Sequence, residues 1–186
     1  NGAQALVISP DGKNIYIAGR EEDAVTWVDR NASTGEITFN GFLKNGTNGI
    51  IGLNFPVSID ISSDGKHIYL VGRDDNAISW FERNATSGDL SFSGYVQNGS
   101  NGISNLLSPE NLLLSSSGDF LYVSSPEANA TLWFSRDSST GNLTYISSVA
   151  FSMRIGSKYA LGVRSGSTAL AVFSSPEFSA KFSVPE

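Results

Sequence analysis

The sequence contains no cysteine, so it can form neither a disulfide framework nor a thiolate metal site. No apolar run approaches the roughly 20 residues that a membrane-spanning helix needs, and we therefore predict no membrane span. Charged residues make up only 16% of the chain, the net charge is −6, and the lysines and arginines are scattered. A nucleic-acid partner is not expected, because phosphate binding needs clustered basic residues.

Serine, threonine, asparagine and glycine are abundant, as is typical of a sheet protein with many turns. The first residues, Asn1-Gly2-Ala3, are neither an initiator methionine nor a signal peptide. We expect the chain to be processed or cut from a longer one.

A long internal repeat organises the chain. Residues 6–30 return almost letter for letter at 59–83 and again, more loosely, at 112–136. The turn glycines Gly12, Gly65 and Gly118 therefore recur at a constant spacing of 53 residues. A fixed period of this length is typical of repeat architectures, in which each unit buries its faces against its neighbours.

Each repeat predicts four short strands. In the first repeat these are residues 6–8, 14–18, 24–28 and 36–42, separated by turns rich in Pro, Asp, Gly, Asn and Ser. The second strand is apolar on both faces, as expected of a strand that is covered on both sides.

The fold class predicted is all-β, a β-propeller of four-stranded antiparallel blades within a single domain. We expect blade 1 at about 3–50, blade 2 at about 56–103, blade 3 at about 109–150 and a degenerate, partial blade 4 at about 158–184. A solenoid is the rival, but no 3.6-residue period supports the helix that a solenoid repeat of this length usually contains. Trp27, Trp80 and Trp133 of the third strands are predicted to pack between blades, as are the aromatic residues of the fourth.

The repeat resembles the lactonase-like, or YVTN-type, β-propeller family. The second-strand segments Asn14-Ile15-Tyr16-Ile17-Ala18-Gly19, His67-Ile68-Tyr69-Leu70-Val71-Gly72 and Phe120-Leu121-Tyr122-Val123-Ser124 stand where that family has its Tyr-Val-Thr strand. The likeness covers residues 1 to about 150 and implies fold more than function, since the family includes both sugar-lactone hydrolases and surface proteins.

The resemblance implies seven blades, so this chain would be part of a larger ring. An open arc would expose on the order of several hundred Å² of apolar surface at each end. Further blades of the same polypeptide, a second copy completing a homo-oligomeric ring, a filament of copies, or closure as a four-bladed disc could cover these faces.

The loops that join second to third strands are expected at one end of the disc, where ligands of this family usually bind. They carry the candidate binding residues Arg20, Glu21, Glu22, Asp23, Arg73, Asp74 and Asp75. Arginines beside carboxylates could polarise a lactone carbonyl and activate water. The same residues could equally be solvated turn residues paired with one another, and their repetition favours that interpretation.

His67 is the only histidine and is predicted to be a surface turn residue, so no Ser-His-Asp set can be built. Asp11 and Asp64 lack the loop spacing of a calcium hand. We therefore assign no catalytic residue, no metal site and no cofactor.

Six Asn-x-Ser/Thr sequons, all in predicted loops or turns, are possible N-glycosylation sites. They begin at Asn31, Asn45, Asn84, Asn98, Asn129 and Asn142. They are consistent with a glycoprotein, although Asn and Ser are also ordinary turn residues.

These features favour a non-enzymatic scaffold or recognition module that is extracellular or on the cell surface and binds protein or carbohydrate. A sugar-lactone hydrolase is the first alternative, with Arg20, Arg73 and the acidic loop residues at its site. A structural filament subunit is the second.

Overall fold

The computed structural model describes residues 2–150, which lie within a compact unit spanning Asn1–Ser152. The expected partial blade at 158–184 falls outside these residues. The described chain consists of three four-stranded antiparallel sheets, and no helix occurs within it. The prediction of an all-β propeller built from four-stranded blades is confirmed.

The strands of each sheet follow one another in chain order. Blade 1 contains β1 Ala3–Ile8, β2 Asn14–Gly19, β3 Ala24–Arg30 and β4 Ile37–Lys44. Blade 2 contains β5 Pro56–Ile61, β6 His67–Gly72, β7 Ala77–Arg83 and β8 Leu90–Gln97. Blade 3 contains β9 Asn111–Leu114, β10 Phe120–Ser125, β11 Ala130–Arg136 and β12 Leu143–Ala150.

The core lies between the blades rather than inside any one of them. One apolar cluster joins blade 1 to blade 2 and contains Trp27, and a second joins blade 2 to blade 3 and contains Trp80. Both tryptophans are only 5% exposed, which confirms their predicted packing role. Trp133, on the far side of blade 3, is half-buried.

Glycine makes room for each buried indole. The register of β3 with β4 shifts at Trp27, and that of β7 with β8 shifts at Trp80. Opposite these positions stand Gly41 and Gly94, where a Cβ atom would lie 2.5 and 2.6 Å from the indole ring. Carbon atoms do not approach so closely without a shift of the structure, so only glycine fits opposite each tryptophan.

A buried arginine connects neighbouring blades, and we call each such group an arginine clamp. In the first clamp, Arg83 of blade 2 donates from Nε to the hydroxyl of Tyr16 at 2.8 Å and from Nη2 to Asp11 Oδ2 at 2.8 Å and Asn14 Oδ1 at 2.7 Å. Its Nη1 donates to the carbonyl of Gly65 at 3.3 Å. The guanidinium of blade 2 thus binds the β1–β2 hairpin of blade 1.

The second clamp repeats the first at a spacing of 53 residues. Arg136 donates to Tyr69 Oη at 2.9 Å, Asp64 Oδ2 at 3.0 Å and His67 Nδ1 at 2.8 Å. Tyr16 and Tyr69 are fully buried, and their hydroxyls donate at 2.8 Å to backbone carbonyls of the next blade. The guanidinium nitrogens and the tyrosine hydroxyls of both clamps therefore all have partners, which burial requires.

The clamps change the ionisation of their carboxylates. Partial burial alone would raise the pKa of Asp11, but hydrogen bonds from Ser9 and Arg83 outweigh it and lower the pKa to about 2. In Asp64 the same balance, with hydrogen bonds from Ser62, the backbone of Lys66 and Arg136, also lowers the pKa to about 2. Both carboxylates remain ionised to well below neutral pH.

The prediction that His67 is a surface turn residue is wrong. Its side chain is 2% exposed, because the β5–β6 hairpin docks on the loop between β11 and β12 and meets Gly141. Burial, followed by the charge of Arg136, lowers the pKa of His67. Since an arginine can only donate, Nδ1 of the neutral ring accepts and Nε2 carries the proton.

Substituting Gly94→Ala should destabilise the protein by about 1–3 kcal/mol, because the added methyl group overpacks the Trp80 site. Urea unfolding followed by tryptophan fluorescence measures the change. The matched control is Ser91→Ala on the exposed side of the same strand. Equal stability of Gly94→Ala and the control would contradict the close packing described above.

The clamp carboxylates should make stability depend on acid pH. Their folded-state pKa lies below the ordinary value of 3.8, so their contribution is complete above about pH 4 and is lost as the pH falls toward 2. Because both side chains are about 30% exposed, we expect about 1 kcal/mol from each after solvent screening.

We therefore expect the double variant Asp11→Asn/Asp64→Asn to have a lower free energy of unfolding than the parent at neutral pH. Between pH 4 and pH 2 its free energy of unfolding should change less with pH than that of the parent. Burial raises the pKa of Asp60, so this residue contributes to the pH dependence of stability with the opposite sign. Asp60 is present in both proteins and does not affect their difference. The exposed Asp119→Asn is the control. An unchanged slope in the double variant would refute the role of the clamps.

Candidate functional site

Two arginines meet over one aromatic ring at the end of the blades where the β2–β3 loop, the β6–β7 loop and the linker between blades converge. The guanidinium carbon of Arg20 lies 4.6 Å from the ring centroid of Phe55, and that of Arg73 lies 5.7 Å from it. Arg20 follows β2, Arg73 follows β6, and Phe55 directly precedes β5. The structure thus brings together the two arginines that the sequence singled out.

Phe55 has an uncommon backbone conformation, with φ at 56°. The left-handed region is unfavourable for a bulky residue, and such strain persists only when neighbouring contacts impose it. Here Asp23 Oδ1 accepts the Phe55 amide at 2.9 Å, and the Phe55 carbonyl accepts the amide of Arg73 at 3.2 Å. These two bonds fix the backbone of Phe55 and so hold its ring close to both arginines.

The matching site between blades 2 and 3 has the same left-handed backbone conformation but no aromatic side chain. Ser108 replaces Phe55, with φ at 44°, and its amide donates to Asn76 Oδ1 at 2.7 Å. Sequence reasoning missed Phe55, although the aligned dipeptides Phe55-Pro56 and Ser108-Pro109 show an aromatic residue where the repeat has serine.

In the described part of the chain, the two arginines of the site are not neutralised by direct ion pairs. Arg20 and Arg73 are half-buried, and within residues 2–150 neither forms an ion pair with a carboxylate. The Arg20 guanidinium donates one long hydrogen bond, from Nη1 to Gln4 Oε1 at 3.5 Å. Each guanidinium is attracted to the ring face, but two like charges beside one ring repel each other. An anion bound between them would relieve that repulsion.

The five acidic residues of the β2–β3 and β6–β7 loops differ in the partners of their carboxylates. Asp23 and Asp75 accept backbone amides of the linker, at 2.9 Å from Phe55 and 3.0 Å from Asn54. Glu22 pairs with Lys44 at 3.8 Å.

Two carboxylates remain exposed. Glu21 and Asp74 show no side-chain hydrogen bond or ion pair in the described part of the chain. These are the acidic groups available to a ligand.

The sequon asparagines mostly have structural partners. Asn31 and Asn84 accept backbone amides two and three residues ahead, which forms the β3–β4 and β7–β8 turns. Asn45 and Asn98 accept the amides of linker leucines at 3.2 Å. Asn129 and Asn142 are exposed. Their turn chemistry accounts for the repetition of these residues, and glycosylation stays a prediction.

Among residues 2–150, no group of three or more His, Asp or Glu side chains could hold a metal ion. None of these residues forms a helix long and apolar enough to cross a membrane.

Comparison with known proteins identifies the family. The model of the family described as "Lactonase, 7-bladed beta-propeller" matches residues 1–103 and 59–154. The chain belongs to this family. The resemblance seen in its repeats is confirmed, and the arc of three blades is part of a larger lactonase-type propeller.

Several proteins similar to this chain bear lactonase names. The 6-phosphogluconolactonase of Bacillus subtilis (strain 168) is 24% identical over 147 residues, which are 79% of this chain and 40% of that protein. Among solved structures, the periplasmic gluconolactonase PpgL of Pseudomonas aeruginosa is 22% identical with a TM-score of 0.66, covering 77% of this chain and 38% of that one. A functionally unknown protein from Desulfotomaculum acetoxidans is 18% identical with a TM-score of 0.65, covering 82% and 44%.

These comparisons correct one expectation. The hypothesis of a non-enzymatic scaffold or recognition module is wrong, because the curated relative and several of the similar solved structures are named lactonases. The repeats misled us because they specify packing in every blade, whereas reactive groups need occur in only a few. The chain spans about 40% of the length of these lactonases.

Replacing Asp23→Ala should destabilise the protein by about 1 kcal/mol or more, because the Phe55 amide loses its acceptor. Asp23→Asn should stay within about 0.5 kcal/mol of the parent, since Asn76 performs the same role at the matching site. Chemical denaturation compares the two variants. Equal losses in both would contradict the proposed function of this hydrogen bond.

Proposed function

We propose that the propeller to which these blades belong hydrolyses an anionic sugar lactone such as 6-phosphogluconolactone, and that the Phe55 end of blades 1 and 2 forms part of its substrate site. The proposal rests on the two half-buried arginines that share one aromatic ring without a carboxylate partner in the described region. The names of the relatives supply the reaction class.

The arginines suit an anionic substrate for two reasons. A guanidinium remains charged at any physiological pH and offers several donors in a planar fork, which matches the oxygens of phosphate and carboxylate groups. The hydrogen bond that the Phe55 amide donates to Asp23 holds the ring in place beside both cations before the substrate arrives. Such preorganisation lowers the cost of binding.

Lactone hydrolysis requires three events. Water attacks the carbonyl carbon, negative charge develops on the carbonyl oxygen, and the bond from that carbon to the ring oxygen breaks to give a hydroxy acid. A guanidinium beside the oxyanion stabilises the developing charge. We choose Asp74, which is exposed and next to Arg73, as the carboxylate that accepts the proton of the attacking water and returns it to the departing ring oxygen.

We test the proposal with the double variant Arg20→Gln/Arg73→Gln. In acid-release assays with 6-phosphogluconolactone, the parent should accelerate hydrolysis above the spontaneous rate, and the double variant should lose about tenfold or more in kcat/KM. Loss of the phosphate contact should raise KM and loss of the oxyanion contact should lower kcat, whereas Asp74→Asn should lower kcat with little change in KM. Lys13→Gln, which removes a cation from the opposite hairpin end, is the matched control.

Binding provides an independent readout. Isothermal titration with 6-phosphogluconate should show affinity that the double variant lacks and that falls with ionic strength. Parent-like turnover in the double variant would contradict the assignment of the site. Absence of lactone hydrolysis by this chain and by any longer polypeptide that contains it would contradict the proposed activity.

A further inference from the structure

The two clamps differ in one acceptor, and only the second clamp contains a group that titrates near neutral pH. Arg83 Nη2 binds Asn14 Oδ1 in the first clamp, whereas Arg136 Nη2 binds His67 Nδ1 in the second. Both acceptors are buried, since Asn14 is 4% and His67 2% exposed. An amide does not titrate, but an imidazole ordinarily takes up a proton near pH 6.5. The junction of blades 2 and 3 thus has an acid-sensitive group that the junction of blades 1 and 2 replaces with asparagine.

The geometry of the second clamp is incompatible with a protonated His67. A proton on Nδ1 would point a donor at the Arg136 guanidinium, which has no acceptor to offer. The hydrogen bond would be lost, and two cations would stand 2.8 Å apart. The ring is also packed tightly against blade 3, where a Cβ atom at Gly141 would lie 2.4 Å from its Cδ2. The repulsion is therefore relieved when the hairpin of blade 2 and the strand end of blade 3 separate.

The other charges around the ring do not compensate for this repulsion. Charged groups reach His67 from every element that packs on it: Asp64 and Lys66 of its own hairpin, Glu82 of β7, Arg136 of β11, and Asp137 of the β11–β12 loop. Asp64 already pairs with Arg136 at 3.0 Å. Glu82 is exposed and therefore screened by water, and Asp137 is exposed and accepts hydrogen bonds from its own loop. Burial and then the charge of Arg136 outweigh the carboxylates and lower the pKa of His67.

We propose that His67 makes the junction of blades 2 and 3 a pH-sensitive switch, in which uptake of one proton from solvent by its imidazole breaks the second clamp and lets blade 3 separate from blade 2. The first clamp, with Asn14 in the matching place, stays closed under the same conditions. The site around Phe55 lies between blades 1 and 2, so mild acid loosens one junction and leaves that site assembled. The inference does not depend on the proposed enzymatic activity.

Linkage gives the sign and the pH range of the switch. The imidazole has its ordinary pKa of 6.5 in the open junction and a lower one in the closed junction, so the closed junction loses stability as the pH falls below 6.5. A closed junction that excludes the proton should open about tenfold more readily at pH 5.5 than at pH 7.5. The clamp carboxylates titrate lower, at about pH 2. Asp60, which accepts the amide of Leu114 at the same junction, has a raised pKa and acts in the opposite sense.

Two measurements on the whole chain test the switch. An NMR titration reports the imidazole directly, because His67 is the only histidine, and should give a pKa below 6.5. Hydrogen exchange followed by mass spectrometry, corrected for the intrinsic pH dependence of amide exchange, then measures opening of each blade at pH 7.5 and pH 5.5. Opening should increase about tenfold in β9–β12 of blade 3 and change little in β1–β4 of blade 1.

Exchanging the two acceptors should move the switch from one junction to the other. His67→Asn should abolish the opening of blade 3 in mild acid and keep the clamp, because Asn14 makes the same bond in the first clamp. Adding Asn14→His to this variant should transfer the acid-induced opening to the junction of blades 1 and 2. Ser63→Ala, an exposed position of the same hairpin as His67, is the matched control and should behave as the parent.

Three results would overturn the proposal. A pKa of His67 at or above 6.5 would show that the closed junction accepts the proton. Opening of blade 3 in mild acid that persists in full after His67→Asn would assign the effect to another group. An equal increase of opening in all three blades would show that acid lowers the stability of the whole unit, with no switch at a single junction.

Discussion

The buried guanidinium that blade 2 inserts into the hairpin of blade 1, and blade 3 into that of blade 2, is the interaction on which the arrangement of these blades depends. Arg83 and Arg136 each satisfy a tyrosine hydroxyl, a carboxylate, an Asn or His and a backbone carbonyl. A buried ion pair adds little net stability when compared with apolar packing, because both charges must leave water. It does penalise any other register, since a displaced blade would leave an arginine buried without partners.

The apolar clusters and the clamps therefore have different roles. Tryptophans and aliphatic side chains between blades provide most of the area removed from water, but apolar contact is tolerant of small slips. The clamps are directional, and each one joins a hairpin, a strand end and the carbonyl of the next loop at a single point. Together they position the opposite end of the same blades, where the loops around Phe55 converge.

Much of the fold follows from the sequence because the repeat is regular. The 53-residue period predicts four strands per unit, the turns between them and the packing of Trp27 and Trp80. The clamps were missed, although Asp11, Tyr16 and Arg30 all recur with that period, because the partners of each arginine belong to a different repeat. His67 was misplaced for the same reason: its hairpin is a surface turn within one blade and becomes buried only when the next blade docks.

The site was predictable in part. Loop position and residue type singled out Arg20 and Arg73, but not Phe55, whose importance depends on a left-handed backbone that sequence patterns do not report. The sequence pattern also does not show that Asp23 and Asp75 bind the backbone of the linker whereas Asp74 is exposed. The proposed reaction class rests on the names of the relatives, because the propeller fold alone does not determine which reaction a protein catalyses.

The most direct test of this account is a double-mutant cycle across the first junction, with Arg83→Gln, Asp11→Asn and the combined variant compared by urea unfolding. Direct, buried partners should couple, so the combined loss of stability should be smaller than the sum of the single losses by about 1 kcal/mol or more. If the two losses simply add, the clamp does not connect the blades as described, and the apolar contacts alone would determine how they are arranged.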